Sequence, residues 1–210
     1  MDTRPDDATV FVVDDDEDVR IAIKWLLQLV ALKAETFASA EQFLHAYTPD
    51  RPGCLVLDVR MPCMGGLELL KQLQAKGVML PIIILTGHAD VPMAVCALTG
   101  GAFDFIEKPF SDERLLEKIR HALEIDTRRR GRLAKRDAVA ARFNTLTPRE
   151  CEVLERIVQG QTNKIISMEL GISVKTVETH RGHIMEKMQT KSLAELVAMH
   201  LLLHDDQGKP

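Results

Sequence analysis

Residues 9–30, TVFVVDDDEDVRIAIKWLLQLV, join two different periodicities across an acidic turn. TVFVV (9–13) is a β-branched apolar run with no polar alternation, the pattern of a strand buried on both faces, and VRIAIKWLLQLV (19–30) reads as an amphipathic helix. Asp14 and Asp15 stand where the strand gives way to the helix. Asp16, Glu17 and Asp18 are read as acidic first-turn residues favoured by the helix dipole.

The same unit recurs along the chain. KAETF (33–37), CLVLDV (54–59), PIIIL (81–85) and FDFIE (103–107) are four more short runs, and GLELLKQLQAKG (66–77) is a further helical stretch between them. Ser111, followed by Asp112 and Glu113, caps a last helix LLEKIRHALEI. Five strands alternating with helices predict an α/β fold, a doubly wound (βα)5 domain over residues 1–125. In such an open sheet, ligands sit at the carboxyl ends of the strands, where the strand order reverses.

Charge divides the 210 residues further. Residues 1–125 carry 12 Lys+Arg against 20 Asp+Glu, 126–143 carry 7 against 2, and 144–210 carry 8 against 9. A basic joint at 126–143, expected to be helical, thus separates an acidic first domain from a nearly neutral second one at 144–210. That joint is read either as a solvated linker or as a DNA-phosphate contact. With 46% hydrophobic and 28% charged residues the composition is that of a globular chain. Uncharged stretches such as Val78 to Ala89 are shorter than the roughly 20 residues of a membrane helix. The N-terminal MDTRPDD lacks the features of a secretory signal, so no membrane association and a cytoplasmic location are expected. Cys54, Cys63, Cys96 and Cys151 form no C-x-x-C pair, which argues against a disulfide framework or zinc site. Cys54 and Cys96 are expected to be small buried hydrophobes.

The predicted strand ends carry Asp14 and Asp15, Asp58, Thr86 and Lys108. Three carboxylates brought together repel, so some must be protonated or a cation must sit among them. Hard oxygen donors suit Mg²⁺. A carboxylate beside Mg²⁺, with a lysine and a hydroxyl nearby, is equipment for forming an aspartyl phosphate.

The segments VVDDDEDVR, LVLDVRMPCMGG, ILTGHAD and FIEKPF, in that order, resemble the four signatures of the two-component receiver domain. The resemblance implies that Asp58 is the phospho-acceptor and that Asp14 and Asp15 hold Mg²⁺ together with Asp58 and the Arg60 backbone carbonyl. It further implies that Thr86 and Lys108 are the switch pair, that Phe105 senses Thr86, and that the Lys108–Pro109 bond is cis. Arg60 and His88 are expected to flank the phosphoryl group and set its lifetime. Cys63 stands where the family commonly has a small residue and is read either as a redox input or as loop filler.

In the second domain, Thr147-Pro148-Arg149-Glu150 is a capping box with proline at the first helical position. Helices are predicted near 149–159, 163–170, 174–188 and 193–203, with Gly160 and Gly171 as C-terminal caps. Short helices with short turns are a helix-turn-helix arrangement. In 174–188, Val177, Ile184 and Met188 mark an inward face. Lys175, Thr179, Gly182 and Glu186 then point outward, flanked by Thr176, Glu178, His183 and Lys187. Such a face suits a major groove. Thr162, Asn163 and Lys164 open the preceding helix, where amides, dipole and ammonium favour a phosphate.

LTPRECEVL, GQTNKIISMELGIS, KTVETHRGHIMEKM and SLAELV resemble the LuxR/NarL-type helix-turn-helix. The resemblance adds Arg181 and His180 as backbone-contact and packing positions. Glu178 with Gly182 departs from relatives that carry basic residues there. The two domains together resemble the FixJ/NarL class of response regulators, and TGHADVP and KPF lie nearer its FixJ branch. This resemblance implies a transcription regulator, not an enzyme. It further implies that a sensor histidine kinase phosphorylates the chain at Asp58, that it then dimerises through residues 91–107, and that it binds promoter DNA, with RNA polymerase as a further candidate partner. Val91, Met93 and Phe103 are read either as dimer surface or as core. Two alternatives stay open: a constitutive DNA-binding regulator with a non-switching receiver, and a Mg²⁺-dependent phosphohydrolase.

Overall fold

The computed structural model describes residues 8–87 and 98–204. They fall in two compact units, Met1–Gly131 and Arg132–Pro210.

The first unit is a five-stranded parallel sheet of order β2-β1-β3-β4-β5, formed by β1 (Thr9–Val13), β2 (Lys33–Phe37), β3 (Gly53–Asp58), β4 (Ile82–Thr86) and β5 (Asp104–Glu107). The central strands β1, β3 and β4 are buried along their whole length, as continuous apolar runs require. The edge strand β2 is only partly buried, which explains why KAETF tolerates a lysine and a glutamate. Alternate side chains feed two cores. Phe11, Val13, Leu55, Leu57 and Ile84 pack with α2 (Ala40–Ala46) and α3 (Gly66–Ala75). Val10, Val12, Cys54, Val56, Ile83 and Leu85 pack with α1 (Glu17–Leu29) and with Leu115, Ile119 and Ala122 of α4 (Asp112–Phe143). Asp16 caps α1 with its side chain and Glu17 and Asp18 occupy the first turn, in line with the sequence reading. Ser111 accepts a hydrogen bond from the Arg114 amide at the start of α4.

Two glycines let backbones approach where a side chain could not. A Cβ on Gly66 would stand 2.1 Å from the Asp58 carbonyl oxygen, so α3 can begin close against the end of β3 only with glycine there. Gly53 has φ +152°, and a Cβ would stand 1.9 Å from the Thr9 carbonyl oxygen.

Residues 126–143 are helical throughout, as expected, but the first of them are not a solvated linker. Asp126 is 1% exposed. Its carboxylate accepts hydrogen bonds from the Gly53 amide (3.0 Å), Arg130 Nε (2.7 Å) and Arg129 Nη2 (2.5 Å). Arg130 in turn donates to the carbonyls of Asp50 (3.0 Å) and Arg51 (2.7 Å). The turn 126–130 is thereby locked onto the loop that enters β3.

The second unit contains α5 (Pro148–Val158), α6 (Asn163–Leu170), α7 (Val174–Lys187) and α8 (Leu193–His204). They close around Val153, Leu154, Ile157, Ile166, Val177, Ile184, Met188 and Leu196. The capping box at Thr147 and Glu150 is present with both of its hydrogen bonds. Gly171 ends α6 in the left-handed conformation and Gly160 has φ +79° just past α5.

Because Asp126 satisfies two guanidinium groups and an amide, Asp126→Ala strands buried positive charge. Removing one partner of a buried ion pair costs about 3–5 kcal/mol, and the partly exposed arginines put the expectation near the lower end, about 3 kcal/mol. Urea unfolding followed by circular dichroism checks this value.

Candidate functional site

β1 and β3 are neighbours in the sheet, yet β1 leads outward to β2 while β3 leads to β4; the crevice at their carboxyl ends is the topological switch point. Asp14 follows β1 and is 1% exposed; Asp58 ends β3 and is 7% exposed. Lys108, just after β5, reaches both, with Nζ 2.7 Å from Asp14 Oδ2 and 2.7 Å from Asp58 Oδ1. The lysine is placed by backbone: its amide donates to the Thr86 carbonyl at 2.7 Å, and the Lys108–Pro109 bond is cis, as the resemblance implied. The other oxygens of the two carboxylates are also engaged. Asp14 Oδ1 accepts from the Asp16 amide at 2.9 Å, and Asp58 Oδ2 from the Arg60 amide at 2.6 Å. Arg20, the last residue of the VVDDDEDVR segment and given no role in the sequence reading, donates to the carbonyls of Asp14 (2.7 Å) and Asp15 (2.9 Å) and holds the acidic turn in shape.

One ammonium shared by two carboxylates leaves a surplus negative charge. Burial pushes the Asp58 carboxyl up, against the hydrogen bond and charge of Lys108, and the charge of Asp14 adds to the rise. Burial draws Lys108 down, but its two carboxylate partners outweigh that and hold its ammonium above the ordinary range. The rise of Asp58 comes chiefly from burial, that of Lys108 from the two carboxylates it faces.

Of the three carboxylates expected to share one site, two meet and Asp15 is exposed. Among the described residues no three acidic, histidine or cysteine side chains stand together for a metal. The donor set of Asp14 and Asp58, hard oxygens with uncompensated negative charge, nevertheless fits a small hard divalent cation. Thr86 is buried, and its hydroxyl donates to the Gly87 carbonyl at 3.1 Å. Phe105 is half-buried against the core of the α2–α3 face. His88, Val91, Met93 and Cys96 lie outside the described residues. Phe103 packs on the core with its ring 5.1 Å from that of His121. Cys54 is fully buried and Cys63 is exposed with φ +63°.

In the second unit, Lys175, Glu178, Thr179, Gly182 and His183 of α7 are exposed, and Val177 and Ile184 are buried, as the heptad-like spacing predicted. Thr162 caps α6, with Asn163 and Lys164 in its first turn, and Arg181 Nη1 donates to Asn163 Oδ1 at 3.2 Å, tying α7 to the start of α6. Thr176 pairs with the capping hydroxyl of Ser173 at 2.8 Å, and Thr179 donates to the Lys175 carbonyl at 3.0 Å. Lys187 also has a partner inside the unit. Its ammonium lies 2.7 Å from Glu150 Oε2, because that carboxylate is 3% exposed and needs a counter-charge. His183 Nδ1 stands 3.8 Å from the other oxygen.

The family model for the response regulator receiver domain matches residues 10–120, and that for bacterial regulatory proteins of the luxR family matches residues 144–200. The chain belongs to the response regulators with a LuxR-type DNA-binding domain. The regulator is 44% identical over 198 residues to the transcriptional regulatory protein FixJ of Azorhizobium caulinodans, covering 94% of each chain. It is 45% identical over 196 residues to FixJ of Rhizobium meliloti, covering 93% of this chain and 96% of that one. Among solved structures, the response regulator StyR matches with 43% identity and a TM-score of 0.85 over 92% of the regulator and 98% of that chain. A family of transcription regulators is what both units predict, and no described helix is long and apolar enough to cross a membrane.

Burial pushes Glu150 up, but Lys187 and the hydrogen bonds from Thr147 outweigh it and bring the carboxyl down to about 2 from 4.5. A depressed folded-state value contributes stability above the unfolded value and loses it as pH falls. Amide protection of α5 and α7 is therefore expected to decline between about pH 4.5 and about 2. Hydrogen exchange on Glu150→Gln should show weaker protection at neutral pH and a flatter response in that window.

Proposed function

We propose that the regulator is switched by phosphorylation of Asp58 by a partner histidine kinase, and that the phosphorylated form dimerises and binds promoter DNA through α6 and α7. The observation that carries this reading is the buried Asp58 carboxylate, held at the switch point by Lys108 while Lys108 also holds Asp14.

An Asp58 oxygen attacks the phosphorus of the phospho-donor; the new O–P bond forms as the bond to the donor's imidazole nitrogen breaks, and that nitrogen keeps the electron pair. Asp14, Asp15, Asp58 and the Arg60 carbonyl would hold Mg²⁺, which when bound offsets the charge of the incoming phosphoryl oxygens. Lys108 exchanges a carboxylate partner for a phosphoryl oxygen. The Thr86 hydroxyl leaves the Gly87 carbonyl and donates to another oxygen, and Phe105 follows Thr86 into the space it vacates. A local charge change thereby biases a two-position element. Residues 91–107 are the proposed dimer surface, and RNA polymerase remains a proposed partner. Arg60 and His88 are proposed to govern how long the phosphoryl group survives.

On DNA, Thr162, Asn163, Lys164 and Arg181 are proposed to position the phosphate backbone. Lys175, Thr176, Glu178, Thr179 and His183 are proposed to face the bases. Lys187 contributes by bracing α7 on Glu150, with phosphate contact as a secondary role.

Beryllofluoride with Mg²⁺, as a phosphoryl mimic, should convert wild type from monomer to dimer in light scattering and leave Asp58→Asn unchanged. Dimer formation by Asp58→Asn without the mimic would favour the constitutive reading. In promoter binding, Lys164→Ala should weaken all sequences alike and lower the salt slope by about 1, whereas Lys175→Ala should cost about 1–3 kcal/mol and relax discrimination.

A further inference from the structure

The basic stretch of α4 is only partly accounted for by the Asp126 clamp. Arg129 and Arg130 pair with Asp126 in the first unit. Arg132, Lys135 and Arg136 lie beyond that clamp, and the second unit begins at Arg132. Positions 132, 135, 136, 139 and 143 share one side of α4 at helical spacing. Burial rises along that side. Arg132 and Lys135 are exposed, Arg136 is half-buried, Val139 enters the core of the second unit and Phe143 packs against it. The three basic residues therefore stand on the side of the helix that seats on the second unit, one to two turns before the seat.

That seat adjoins the end of α7, because Arg142 Nη1 donates to the Met188 carbonyl at 3.2 Å. Lys135 lies about 10 Å of helix before Arg142. A major groove is about 12 Å wide, so a cation at that reach from the end of a helix in the groove meets the phosphates of its rim.

Charge balance calls for such a contact. Residues 144–210 carry 8 Lys+Arg against 9 Asp+Glu, and Arg149, Arg156 and Lys187 each hold a glutamate. On their exposed side α6 and α7 offer Lys164 and Lys175, with Arg181 tied to Asn163. Affinity for DNA comes largely from Lys and Arg that replace the counterions condensed on phosphates. Counting the unit from Arg132 reverses its sign, to 12 Lys+Arg against 10 Asp+Glu. Contacts that an exposed guanidinium makes at the surface are weak in water and yield to a phosphate, which its planar fork matches.

We infer that Arg132, Lys135 and Arg136 form a second DNA-phosphate contact, a basic helical turn that holds the backbone beside the groove read by α7. The inference rests on the proposal that α6 and α7 bind promoter DNA. The contact positions the regulator without reading bases.

Fluorescence anisotropy of the full chain, with beryllofluoride and fixed Mg²⁺, tests it on two labelled duplexes of unrelated sequence from about 50 to 200 mM salt. Arg132→Ala and Lys135→Ala should each lower the salt slope by about 1 per bound protomer. Between those limits their affinity should fall roughly 3–4-fold less than that of wild type, equally on both sequences. Lys135→Arg should keep the wild-type slope, and so should Lys71→Ala, exposed on α3 of the first unit. Alanine is a strong helix former, so circular dichroism should match wild type. Unchanged slopes in Arg132→Ala and Lys135→Ala while Lys164→Ala lowers its own, or an equal loss in Lys71→Ala, would overturn the inference and leave the α6–α7 reading standing. Tighter binding by Lys135→Ala would mark the turn as held by an acidic protein surface and likewise overturn it. Wild type that binds neither duplex at the lowest salt would overturn both.

Discussion

A single ammonium group serves two buried carboxylates that have little water to fall back on. Lys108 is delivered to Asp14 and Asp58 from β5, fifty residues of chain beyond Asp58, and the whole parallel sheet is what makes that meeting possible. The register β1·β3·β4·β5 brings the four strand ends to one edge, and Gly66 lets the next helix start hard against the Asp58 carbonyl. Remove the lysine and two carboxylates face each other with no counter-charge. The arrangement is thus both what the sheet holds together and what any incoming anion or cation must rearrange.

The second unit inverts the arrangement: there one buried carboxylate gathers several partners. Glu150 is a helix cap, a partner of Lys187 and a neighbour of His183, so a single side chain fastens the start of α5 to the end of α7. The helix that presents Lys175 and Thr179 outward is held at two points, by Glu150 through Lys187 and by Asn163 through Arg181. Rigid presentation of a few side chains is what reading a groove demands.

Much of this is legible in residue pattern alone. The five strands, the caps at Ser111 and Thr147 and the buried face Val177–Ile184–Met188 follow from periodicity and capping chemistry, which are local. The convergence of Asp14, Asp58 and Lys108 is legible only through the order of four short signatures. Hidden from the sequence are the polar contacts that tie distant backbone to side chain. Asp126 looks like one charge in a basic linker, although its spacing to Arg130 is a hint of pairing. Arg20 on two carbonyls leaves no signature, because carbonyl acceptors exist at every position. The pairing of Lys187 with Glu150 is hidden as well, since the two lie 37 residues apart on different helices. Asp15 is exposed, one residue beyond the carboxylate that Lys108 holds.

The Asp126 clamp also says where the polypeptide can be divided. A cut placed at the compositional break, after residue 125, would remove the carboxylate that holds the Gly53 amide and the guanidinium that covers the carbonyls of Asp50 and Arg51. Those groups would be left open at the foot of β3, a central strand, and the excised piece would carry a defect absent from the intact protein. A fragment extended through Gly131 keeps the whole network. Dissecting this regulator into working halves is therefore governed by the helical turn that carries Asp126 and Arg130.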